Sequence, residues 1–147
     1  MPRHRRLEFQ QVDMRDFDYG SEEFAVIVAV NCLQTVRTSQ RAVVLERVFE
    51  ALAPGGLIVV TAMTQGDGYA EACLRGGGEL IERNTCSDPT TADKVFSWFD
   101  LGELRSWAID RELDVLHYRE HRVPDHHPPQ PPHEHACVSL VARKSVR

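Results

Sequence analysis

No apolar run in this chain approaches the roughly 20 residues that a membrane-spanning helix needs, and no basic-plus-apolar leader opens it. A membrane partner is therefore not expected. Basic charge is also scarce, with 17 Lys and Arg against 22 Asp and Glu for a net charge of -5, and only Arg3, His4, Arg5 and Arg6 cluster. Nucleic acid is not an expected partner either. The four cysteines, Cys32, Cys73, Cys86 and Cys137, form no Cys-x-x-Cys pair, so free thiols in a reducing, cytoplasmic setting are the expectation. No internal repeat is visible. What remains is a chain of 147 residues, 42% hydrophobic and 27% charged, which suits a single domain with a real core.

The order of elements is that of an α/β protein. Leu7 to Val12 alternates apolar and polar residues before the acidic stretch from Asp13 to Asp18, which predicts a strand running into a loop. Phe24 to Val30, FAVIVAV, predicts a strand buried on both faces. Ser39 is a candidate N-cap for a helix carrying Val43 to Leu52, in which Leu45, Val48, Phe49 and Leu52 share one face. Pro54, Gly55 and Gly56 predict a turn, and Leu57 to Met63 a further covered strand. Strand, helix and strand of these lengths make a right-handed crossover. From Thr64 to Asp93 the pattern fails, and a lid and a poorly ordered surface loop are equally open readings. A helix from about Leu101 to Asp110 follows, with Glu103 and Arg105 on its solvated face, then strands at Leu113 to His121 and Cys137 to Arg143.

Between the last two strands, the segment from 122 to 136 holds five prolines and the pairs His126-His127 and His133-x-His135. The prolines predict a loop outside the sheet, mobile without ligand and lying over a pocket mouth. Imidazole and thiolate could ligate a metal, but extended polyproline would hold the two histidine pairs well over about 10 Å apart unless the chain doubles back. No metal site is assigned on the spacing alone. Cys32 reads as a small buried hydrophobe.

The run LAPGGLIVV, within this order of elements, resembles the class I S-adenosylmethionine-dependent methyltransferases. VFSWFDLGELRSW, LHYREHR and the terminal VSLVARK resemble more closely the tellurite-resistance methyltransferases, over about Phe9 to Lys144. The resemblance implies a three-layer Rossmann-like fold, S-adenosylmethionine as cofactor and a small acceptor such as a chalcogen oxyanion. Carried over by position, it implies that Asp13 and Met14 lie at the adenine and that Val30 and Asn31 face the methionine part. It places His121 and Arg122 at the methyl acceptor, Arg122 holding an oxyanion and His121 acting as base or orienter. The family's Gly-rich turn and its first two strands have no counterpart here, and Gly76 to Gly78 follows no strand. An N-terminally truncated version of the fold is thus expected, with an unpaired apolar edge at Phe24 to Val30 that favours a homo-oligomer. The competing expectation is a non-enzymatic module of the same fold, serving dimerisation or metal binding through the His-rich loop.

Overall fold

The computed structural model of the chain describes residues 8–126 and 132–146. Its main sheet has four strands in the order β1-β2-β7-β6. Strands β1 (Phe24–Val30) and β2 (Leu52–Met63) run parallel, joined by a crossover through α1 (Thr38–Ala51). The edge strand β6 (Asp114–Asp125) and β7 (His133–Arg143) are antiparallel neighbours, and β7 also runs antiparallel to β2. Between β2 and β6 lie α2 (Gly68–Arg75), three short strands β3 (Leu80–Glu82), β4 (Thr85–Ser87) and β5 (Val95–Ser97), and α3 (Glu103–Asp110). Among the described residues no helix is long and apolar enough to cross a membrane.

The core follows from alternation along the strands. Ile58, Val60 and Ala62 of β2 and Val138, Leu140 and Ala142 of β7 point to one face, where Val44, Leu45 and Val48 of α1 and Leu104 and Ala108 of α3 cover them. The opposite face is another matter: Val26, Val28 and Val30 are 53%, 61% and 55% exposed. Helices α1 and α3 cover the face carrying Ile58, Val60 and Ala62, α2 packs on Met63 and Cys137, and β1 is not buried on both sides. An apolar run signals a covered strand only if covering elements exist. Here β1 has one neighbouring strand and one covered face.

Other expectations change in instructive ways. Residues 8–12 form no strand, and Phe9 is 91% exposed. Alternating polarity makes a strand only beside a partner edge, and the segment makes no ladder with the described residues. Helix α1 starts at Thr38, after Arg37, and Ser39 does not cap it. Its free N–H groups are met from outside, because Glu82 of β3 accepts from Ser39 N at 2.9 Å and Thr85 of β4 accepts from Thr38 N at 3.1 Å. That contact holds the Glu82 carboxyl below its usual range, chiefly through the Ser39 amide.

The predicted turn after α1 is a bulge inside β2. Phe24 pairs with Leu52 but Val26 with Leu57, so residues 53–56 loop out of register. Gly55 takes φ 75°, and a Cβ on Gly56 would lie 2.8 Å from the Ala53 carbonyl oxygen. Only glycine fits both demands. The segment from 64 to 93, read as lid or loose loop, is instead a small packed unit in which Met63, Ala70, Cys73, Cys86 and Phe96 form a second core. Helix α3 begins two residues later than predicted, because Gly102 at φ 77° turns the chain first. Glu103 is not a solvated-face residue: it pairs with Arg41, which is 1% exposed.

The largest departure is at the proline-rich segment. Strand β6 continues through Pro124 to Asp125, and β7 starts at His133, with Pro124 opposite Glu134. Both ends of the expected loop are therefore hairpin. Proline is tolerated because β6 is the sheet's edge, where one side of the strand has no ladder to serve. The middle of the segment, including His127, lies outside the described residues.

Candidate functional site

In a sheet of this kind ligands meet the protein at the carboxyl ends of the parallel strands. Strands β1 and β2 end side by side there, Val30 opposite Thr61. Asn31 follows at φ 47°, in the left-handed region that asparagine tolerates better than most residues. Its N–H donates to the Thr61 carbonyl at 2.9 Å, and the Thr61 hydroxyl donates to Asn31 Oδ1 at 3.1 Å. Gln34 Nε2 donates to the Asn31 carbonyl at 2.7 Å. The result is a braced polar corner, solvent-facing at Asn31, with Cys32 half-buried beneath it. Burial raises the Cys32 thiol above its ordinary range, so it packs as a neutral side chain.

Asp13 and Met14 precede β1 in an irregular segment. Met14 packs against the main core, and its carbonyl accepts from the Tyr19 hydroxyl at 3.0 Å. Asp13 is exposed and gripped by Arg15, whose Nε and amide N–H both donate to Oδ1 at 2.8 Å. This pairing lowers its pKa to about 2, so it is an anion throughout the physiological range. An incoming exocyclic amine would have to share that carboxylate with the guanidinium.

His121 and Arg122 are successive residues of β6, and successive side chains leave opposite faces of a strand. His121 stands across from Cys137 and Arg122 across from the buried Ala136. The structure thus does not set the pair side by side. His121 Nδ1 is buried with no hydrogen-bond partner among the described residues. Arg122 donates to the Gly66 carbonyl at 3.4 Å and lies 3.7 Å from Glu134.

Composition and spacing did not single out Asp67, although it is 0% exposed. It caps α2, accepting from Tyr69 N at 2.9 Å and Ala70 N at 3.3 Å, and also accepts from Ala136 N at 3.0 Å. Asp-Gly before a short apolar helix is a cap signal that could have found it. Gly76 to Gly78 closes α2 against β4, where a Cβ on Gly78 would meet the Ser87 carbonyl at 2.5 Å.

The chain matches no protein-family profile and no curated protein. Its structure, however, is similar to several solved ones. A SAM-dependent methyltransferase from Methanosarcina mazei superposes with a TM-score of 0.71 at 18% identity, over 95% of this chain and 68% of that one. TehB from Haemophilus influenzae gives 0.64 at 16% identity, over 92% of this chain and 40% of that one. The N-methyltransferase NodS from Bradyrhizobium japonicum, solved with S-adenosyl-L-homocysteine, gives 0.53 at 16% identity, over 90% and 52%. At these identities the likeness is one of fold. The chain spans between two fifths and about two thirds of the length of these three.

Proposed function

The fold is that of the S-adenosylmethionine-dependent methyltransferases, and we propose that this chain is a methyltransferase domain of the tellurite-resistance type acting on a small acceptor such as a chalcogen oxyanion. The observation that supports this best is the sheet itself. Its order, β1-β2-β7-β6 with β7 reversed, places the Asn31–Thr61 corner at the carboxyl ends of the parallel pair. The cofactor would supply an electrophilic sulfonium methyl. Asn31 and the end of β1 would hold its methionine part, and Asp13 with Met14 would border the adenine. Arg122 would attract an oxyanion to its own face of the β6–β7 pair; His121, whose side chain leaves the opposite face of β6 and whose Nδ1 is buried, would not meet that acceptor.

A nucleoside cofactor also needs an amide cradle, and surface beyond the described residues would supply it. The free edge and bare valines of β1 are where that surface would join, and a second copy of the chain is the proposed source. Light scattering at micromolar concentration should therefore report a dimer or larger species. Val28→Lys, which places a charge on the exposed face, should shift it to monomer. A monodisperse parent monomer would remove the second copy from the site.

The activity itself is tested by calorimetry with S-adenosylhomocysteine, followed by methyl transfer to selenite or tellurite. Asn31→Ala should weaken binding about tenfold, the effect of losing one useful polar contact. Binding by the parent with no change in the variant would move the cofactor away from β1. No binding by the parent would favour the non-enzymatic reading of the same fold.

A further inference from the structure

The pairing of β6, up to Asp125, with β7, from His133, changes what the histidines on either side of the proline-rich segment can do. Asp125 pairs across from His133, and Val123 across from His135, so the two histidines share one face of β7 and the aspartate faces them from β6. The chain does double back, which the spacing argument against a compact site left open. His133 Nε2 lies 3.3 Å from His135 Nε2, which in turn lies 3.1 Å from Asp125 Oδ2. All three donor atoms fall within 4.8 Å of one another. Around a first-row metal with ligand bonds of about 2.0–2.2 Å, neighbouring donors stand about 3.0–3.5 Å apart. The two short separations match that spacing.

A second, independent observation concerns His135's other nitrogen. Nδ1 faces Asp67 Oδ2 at 2.9 Å, and Asp67 is a buried carboxylate already fixed by three backbone N–H groups. A carboxylate can only accept there, so Nδ1 carries the hydrogen, and the tautomer with a lone pair on Nε2 turns that lone pair outward. That lone pair then points at the Asp125 carboxylate and at His133 Nε2. The histidine's far side is braced by a carboxylate, an arrangement that recurs behind metal-bound imidazoles.

We propose that Asp125, His133 and His135 bind one divalent first-row transition-metal ion where β6 ends and β7 begins, with Asp67 as a positioning residue that holds His135 in its ligating tautomer. Two imidazoles and a carboxylate select zinc, cobalt, nickel or iron over magnesium or calcium. Three protein ligands leave at least one position for water or an anion, and Asp125 and His133 also line a cavity of about 330 Å³. Cys137, two residues beyond His135, is not a ligand: its thiol faces Met63 Sδ at 3.9 Å. The proposal stands whether or not the fold performs methyl transfer.

The test uses the full chain, stripped of metal by chelator and titrated with zinc at neutral pH, with the cobalt(II) absorption spectrum as a second readout. One equivalent should bind, and the His133→Ala/His135→Ala double variant should bind at least tenfold more weakly. The cobalt ligand-field bands should change with it. His117→Ala, on an exposed position of β6, should bind as the parent does and controls for adventitious histidine binding. Asp67→Asn should weaken zinc 10- to 100-fold while leaving one cobalt site with altered bands. Should Asp67→Asn unfold, Asp125→Asn, at a position 38% exposed, tests the site with less risk to the fold. Equal affinity for parent and double variant, or no binding by the parent, would overturn the proposal; a cluster held only by an extra proton predicts the latter.

Discussion

Phe99→Ala is expected to lower the free energy of unfolding by about 3–5 kcal/mol, the range for removing a large buried aromatic side chain. Phe99 is 2% exposed and sits in the main core. Its ring also carries the Arg41 guanidinium 3.6 Å from its centroid. Arg41 is itself buried, and its charge is answered at close range by Glu103 at 3.2 Å, the Ser97 hydroxyl at 3.2 Å and this ring, with the Asp100 and Glu82 carboxylates farther off. Burial drives the Arg41 pKa down, though a guanidinium still stays charged. Emptying the Phe99 site therefore leaves a cavity and withdraws one partner from a buried cation. Phe99→Leu keeps most of the volume and loses the π face, so it should cost less, about 1–2 kcal/mol. Urea denaturation of both variants, in a double-mutant cycle with Arg41→Met, separates the two contributions. A Phe99→Ala loss below about 1 kcal/mol would mean that the site collapses freely.

Asp67→Ala is the second large effect, and we expect a loss of about 3 kcal/mol. The helix cap accounts for about 1 kcal/mol. The rest comes from the buried Ala136 N–H and His135 Nδ1–H, left with no acceptor at a cost of roughly 1–3 kcal/mol each before relaxation. Because Asp67 joins α2 to β7, the loosening should appear first at that junction, as faster amide hydrogen exchange in residues 68–75 and 134–137 than in α1. Uniform exchange across the protein would mean instead that the junction unfolds only with the whole domain. Asp67→Asn retains a cap acceptor and should recover part of the stability. It should not restore the His135 tautomer, since the amide can turn a donor toward Nδ1.

The contrast between Arg41 and His135 shows where sequence reading reached its limit. Arg41 lies within a helix predicted correctly, yet nothing in its neighbourhood announces burial; Glu103 and Phe99 arrive from about sixty residues downstream. His133 and His135 are conspicuous in the sequence, but their partners Asp67 and Asp125 are not. The separation between them along the chain, 68 residues in the case of Asp67, carries no spacing signal. The family's carried-over pair, His121 and Arg122, stood next to each other in the sequence and were separated by the pleat of β6.

The sequence by itself determined the α/β order: the apolar strands at Phe24 to Val30 and Leu57 to Met63, the amphipathic helix between them and the glycines at 55 and 56. These are local properties, set by side-chain periodicity and backbone sterics, and a short window is enough to express them. Only the tertiary structure decided which of those strands is buried, because burial depends on whether another element lies opposite. Tertiary structure also carried β6 through Pro124 to Asp125, since an edge position removes the demand for the hydrogen bond that proline cannot make. That single placement brought Asp125 against His133 and His135, and Asp67 closed the group from behind.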